Sequence, residues 1–167
     1  ANLSLVVMSI YMGISQGIQP LLSSGCGTGN RKKIQSVLRY ALVSAVLISV
    51  VVYVCVFFGA DPIAAVFNSE QNATLQSIAV TGLKIYFTAC VFAGFNIILS
   101  VYFTSTENAL PAHIISILRG FVVIIPMAFL LSAAAELTGV WAAFPATELI
   151  VSLIGAGLFF RIGKRTE

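Results

Sequence analysis

GISQGIQPLLSSGCGTGNRKK, residues 13–33, decides how this chain is read. It opens as an apolar helix carrying Gln16, Gln19 and Pro20, passes through a glycine-rich exit and ends in the basic triplet Arg31-Lys32-Lys33. An apolar helix stopped by three cations reads as a membrane span that ends at the cytoplasmic surface, where Lys and Arg accumulate. The polar residues upstream are expensive in hydrocarbon unless they face protein or water, so they point to a pathway rather than a plain anchor.

The rest of the chain agrees. Of 167 residues, 59% are hydrophobic and only 9% charged, a balance no soluble domain of this size needs. The fold class expected is an all-α polytopic transmembrane helix bundle. A net charge of +3 gives nucleic-acid binding no support. The chain begins with Ala1 and has no short apolar leader with a cleavage site, so it is expected to be a fragment whose earlier spans are missing. Cys26, Cys55 and Cys90 have no metal-ligand spacing and are expected to be buried apolar residues.

Five segments are long enough for about 30 Å of hydrocarbon, which takes about 20 helical residues. They lie near 2–24, 37–60, 75–104, 113–135 and 138–160. Loop charges orient them. Arg31, Lys32 and Lys33, with Arg39 just inside the next span, mark the first connection as cytoplasmic, and Arg161, Lys164 and Arg165 do the same for the C-terminus. Asp61 and Glu70 in the second connection and Glu136 in the fourth come without one Lys or Arg, so both face outward. The N-terminus is expected outside and the C-terminus inside.

Proline punctuates the pattern. Asp61-Pro62 resembles an N-cap followed by proline at the first helical position, so DPIAAVFN reads as a short surface helix or an irregular loop. Pro111 fits the start of the fourth helix. Pro20, Pro126 and Pro145 lie inside spans, where each removes a backbone hydrogen bond and favours a kink. The glycine run Gly25 to Gly29 follows an apolar helix and lacks the P-loop lysine spacing, so it is a flexible helix exit.

Glu148 is the sharpest single residue. It falls near the middle of the last span, where an uncompensated charge costs about 2.5–3.5 kcal/mol. Helical spacing groups it with Trp141, Pro145, Ser152 and Gly155. It either lines a central cavity and binds a proton, a cation or a cationic substrate, or is a structural carboxylate held by a neighbouring helix. In the third span Thr88, Phe92, Asn96 and Ser100 recur at steps of four, with Asn96 expected to face the interior. Lys84 is expected to snorkel outward, the alternative being a deep ion pair. Gly13 and Gly17 form a pair that permits close helix contact, while Gln16 and Gln19 reach a cavity or bond across helices. Arg119 is read as an anchor that pairs with Glu107 or a lipid phosphate. His113, the only histidine, is read as interfacial, and nothing forms an enzyme's site or a metal centre. The sequons at Asn2 and Asn72 matter only in a eukaryotic secretory setting.

Three blocks, in order, resemble the C-terminal half of the multidrug and toxic compound extrusion (MATE) family. They are GISQGIQPLLSSGCGTGNRKKI at 13–34, YFTSTENALPAHIISILRG at 102–120 with Pro126 after it, and GVWAAFPATELI at 139–150, and the resemblance is closest to bacterial drug-efflux members. It implies a twelve-helix fold of two lobes, of which residues 1–167 would be a partial C-terminal lobe holding the last five helices. It implies efflux of cationic or amphipathic compounds, drugs and other xenobiotics, by antiport with sodium ions or protons. The partners implied are the bilayer of the bacterial inner membrane, those small molecules and the missing N-terminal lobe of the same chain, with no cofactor beyond the coupling ion. Some sodium-coupled members carry an acidic residue on the tenth helix, which 75–104 lacks, whereas Glu148 stands where similar sequences often have one. The rivals are a lipid-linked oligosaccharide flippase of the same superfamily, which would need a more cationic cavity, and a non-transporting membrane domain.

Overall fold

A computed structural model describes residues 2–68 and 71–163, with only the backbone of Asn2. Glu70, Lys164 and Arg165, which contribute to the loop-charge argument, and the side chain of the Asn2 sequon lie outside the described residues. The chain forms α1 (Asn2–Gly27), α2 (Arg31–Phe67), α3 (Ala73–Tyr86), a 3-10 turn (Phe87–Ala89), α4 (Cys90–Ser105), α5 (Ala109–Ile117), a π-turn (Leu118–Val122) and α6 (Ile124–Gly163). Within α6 the backbone reverses at Ala135 and Glu136, where Glu136 takes φ 47°. The polypeptide therefore makes five helical crossings, the third being α3, the 3-10 turn and α4 together.

The exit from α1 is built by its sequence. Gly29 takes φ +65°, a conformation that favours glycine, and Asn30 then caps α2 by accepting the amide of Lys33 at 3.0 Å. Gly25 lets the side chain of Ile34 approach, since a Cβ there would stand 2.8 Å from Ile34 Cγ1.

α2 runs for 37 residues without a break at Asp61-Pro62. The short surface helix expected there is not separate, and an irregular loop is not found either. Pro62 removes one backbone donor, but Ala60 and Ala64 keep that turn packed on the bundle, so the helix continues to Phe67. The buried seam of α2 is Leu38, Ala41, Ala45, Ser49, Val56, Ala60 and Ala64, a mostly small stripe that brings its neighbours close. Its other side, including Val43, Leu47, Val50, Val51, Val54 and Phe58, is apolar and exposed, as a lipid-facing surface must be.

α4 is the central element, packed by α1, α2, α5 and α6. One apolar cluster joins Val7 and Tyr11 of α1 to Leu38, Ala41 and Ala45 of α2 and Cys90, Ile97 and Ile98 of α4. A second joins Leu99 and Phe103 of α4 to Ala112 and Ile115 of α5 and Val151 of α6. Tyr11 and Ser49 share a buried 2.7 Å hydrogen bond that fixes α1 against α2 without exposing a polar atom to hydrocarbon. Cys90 is buried as expected, but Cys55 is exposed and Cys26 half-buried, because positions 55 and 26 turn away from the centre of the bundle.

The prolines act unequally. Pro111 lies in the first turn of α5, which begins two residues earlier at Ala109. Pro126 follows the π-turn, closed by Val123 N donating to Leu118 O at 2.9 Å. The extra residue in that turn is the local irregularity on this span, while the backbone stays helical through Pro145.

The third and fifth crossings meet at Gly82, where a Cβ would stand 2.5 Å from the Trp141 ring. Gly82→Val is expected to destabilise the protein by about 1–3 kcal/mol through overpacking. Gly13→Val, at a position with nothing within 4 Å, should change stability little. Unfolding midpoints of both variants in detergent check the difference.

Candidate functional site

Glu148 is completely buried, on the inner face of α6 one helical turn before Ser152. Its carboxylate meets Arg119, whose Nε donates to Oε1 at 2.6 Å, and Asn96, whose Nδ2 donates to Oε2 at 2.7 Å. The same Asn96 nitrogen donates to the Glu148 backbone carbonyl at 2.9 Å, and Ser152 Oγ donates to that carbonyl at 2.7 Å. Asn96 must present its amino end here, since turning the amide would set its oxygen against two other acceptors. Its Oδ1, buried on α4, has no hydrogen-bond partner among the described residues.

Each member is placed by the fold. Asn96 sits on the central helix, Glu148 on the second limb of α6, and Arg119 in the π-turn. The tight reversal at Ala135–Glu136 makes the fourth and fifth crossings an antiparallel hairpin. Arg119 and Glu148 lie equally far from that reversal to within about one helical turn, a gap the arginine stem spans. The expected pairing of Arg119 with Glu107 is therefore not found: Glu107 lies in the turn after α4 with φ 64°, while Arg119 points to Glu148. An arginine and a carboxylate at matching depths in adjacent spans were the sequence signal for this pair. What hid it was the π-turn, whose extra residue rotates Arg119 off the face that simple helical counting assigns.

The arrangement holds a carboxylate inside a membrane bundle with a donor on each oxygen. A buried pair of this kind is retained only when geometry and hydrogen bonds offset desolvation. Here each carboxylate oxygen has one donor, from Arg119 and from Asn96.

Residues 1–130 match the MatE family model. This chain belongs to the MatE family. The multidrug export protein MepA of Staphylococcus aureus (strain bovine RF122 / ET3-1) is 29% identical over 141 residues, which covers 84% of this chain and 30% of that protein. MepA of Staphylococcus saprophyticus is 26% identical over 156 residues, covering 93% and 34%. The MatE chain thus spans about a third of the length of these curated relatives. Among solved structures, the inward-facing conformation of a multidrug resistance MATE family transporter of the MOP superfamily superposes with a TM-score of 0.87 at 19% identity, over 96% of this chain and 37% of that one. The outward-facing conformation gives 0.85 at 19% identity, over 95% and 36%. The fold is that of these transporters, an all-α multi-pass membrane bundle.

The other sequence candidates of this MatE bundle do not join Glu148. Gln16, Gln19 and Pro20 lie on an exposed face of α1, and nothing stands within 4 Å of a Cβ on Gly13 or Gly17, so no described helix uses that pair for close contact. Thr88 is exposed at the 3-10 turn and returns its hydroxyl to Ile85 O at 2.7 Å. Trp141 is half-buried two turns from Glu148, and its buried Nε1 has no partner among the described residues. Among the described residues Lys84 forms no deep ion pair, and it holds its ammonium 4.8 Å from the centre of the Phe57 ring. His113 is exposed near the start of α5.

Removing one partner of the buried pair leaves the other uncompensated. Arg119→Ala or Glu148→Ala is expected to cost about 3–5 kcal/mol each, and the double variant much less than their sum. A double-mutant cycle on unfolding free energies in detergent measures that coupling; strict additivity would show that the pair contributes nothing specific.

Proposed function

We propose that the chain is the last five helices of a secondary active exporter of organic cations, driven by inward flow of sodium ions or protons. The observation that carries this is the buried Glu148, held by Asn96 and Arg119 inside a MatE-family membrane bundle. A carboxylate that costly to keep in hydrocarbon is a functional site by default. Relatives named as multidrug export proteins support organic cations as cargo.

On this reading Glu148 is the negative charge to which a cation is attracted, and Asn96 is the residue that orients it. Gln16 and Gln19, with Pro20 beside them, line the pathway on the open face of α1, where the remaining lobe of the protein packs or water enters. Thr88 and Trp141 contribute polar and aromatic surface farther along the passage. Pro126 and Pro145 allow the fourth and fifth crossings to bend during the cycle. The coupling ion and the cargo favour opposite orientations of two lobes, because only differential affinity can drive such a change. The five-span bundle superposes about equally well on an inward-facing and an outward-facing chain, as a lobe that rocks as one body would.

The orientation proposed puts Arg31, Lys32 and Lys33 at the inner surface of the bacterial plasma membrane and the turn at Glu136 outside. Glu136 and Asp61 are then on the same side, Glu136 at a reversal and Asp61 in the last two turns of α2, at the opposite end of that helix from the basic triplet.

Ethidium efflux from drug-sensitive cells expressing the full-length protein tests the proposal under imposed sodium and proton gradients. Gradient-driven efflux is expected from the wild type, and Glu148→Gln at equal membrane expression should reduce it by at least tenfold. Absence of efflux from the wild type under either gradient would overturn the exporter; undiminished efflux from Glu148→Gln would remove Glu148 from the working site.

A further inference from the structure

The Glu148 site is already full. One carboxylate carries Arg119 on Oε1 and Asn96 on Oε2, so its charge is balanced and both oxygens have donors. A second cation brought to this site would meet the guanidinium before it met the carboxylate. Either no cation binds here, or Arg119 gives way.

Three features of Arg119 suit it to giving way. First, it is the member of the site that reaches the surface: Glu148 and Asn96 are completely buried and Ser152 nearly so, whereas the Arg119 side chain is 26% exposed. Second, it holds Glu148 through Nε alone rather than by the two-point fork that makes arginine–carboxylate pairs strong. Third, it stands in the π-turn, none of whose residues is buried. Beside it, Gly120 has nothing within 4 Å of its Cβ position, and Pro126 supplies no amide to the Val122 carbonyl, so the turn is open to a change of local register. The site also keeps an unused acceptor, since Asn96 Oδ1 is buried without a hydrogen-bond partner among the described residues.

We propose that Arg119 is a tethered cation that occupies Glu148 and exchanges with the exported organic cation, so that cargo replaces the guanidinium at the carboxylate instead of adding to it. This rests on the export reading above. The exchange keeps the buried site neutral at both ends, with a carboxylate never left bare in hydrocarbon. A shift of register in the π-turn carries Arg119 off Glu148 as the cation arrives. When Arg119 returns, it displaces the cation, which gives the site a built-in means of release.

Equilibrium binding of radiolabelled tetraphenylphosphonium to the purified full-length protein tests the exchange without needing transport. Arg119→Gln removes the competitor and is expected to tighten binding on the order of tenfold. Deleting Gly120 takes the extra residue out of the π-turn and turns Arg119 away from Glu148; like Arg119→Gln, this variant is expected to bind roughly tenfold more tightly than wild type, provided its thermal unfolding remains cooperative. The deletion keeps the proposal testable if Arg119→Gln does not fold. Unchanged affinity in whichever of these variants folds, with the wild type binding, would overturn the exchange and leave the export reading standing. A wild type that neither binds the probe nor exports ethidium would overturn both.

Discussion

A carboxylate in hydrocarbon must have partners, and much of this structure follows from where Glu148 finds them. Asn96 can reach it only because α4 runs through the middle of the bundle. Arg119 can reach it only because the fourth and fifth crossings are joined by a reversal too tight to let them separate. The glycine at 139 belongs to the same requirement, since a Cβ there would overlap the carbonyl of Leu131 and push the hairpin open. Packing elsewhere follows the ordinary logic of membrane helices, with small residues on the inner seams and Leu, Val and Phe outside.

Much of the architecture is written in hydropathy and loop charge. Five crossings are visible in the sequence because each is an apolar run of spanning length, and the MatE resemblance rests on three blocks whose order is kept. The failures are equally physical. Asp61-Pro62 carries the local chemistry of a helix start, yet tertiary packing of Ala60 and Ala64 holds one helix through it. Proline tells where a donor is missing but not whether the neighbours will let the helix bend.

The candidate site was half legible. Glu148 and Asn96 are singled out by polarity inside apolar runs, and both prove to be buried and in contact. Arg119 is visible as a charge, but its partner is not, because a π-turn changes the direction of a side chain without leaving a composition signal. Gln16 and Gln19 are polar on a face that no described helix covers, and sequence alone does not distinguish such a face from an interhelical seam.

The tightness of the reversal at Ala135–Glu136 also bears on how the protein is made. Two residues leave no linker that could wait at the surface while one helix settles without the other. Two limbs joined this closely favour entry into the bilayer as a hairpin, with Arg119 and Glu148 on facing limbs. Carried in together, the two charges meet hydrocarbon as a pair rather than singly, which lowers the cost either would carry on a lone helix.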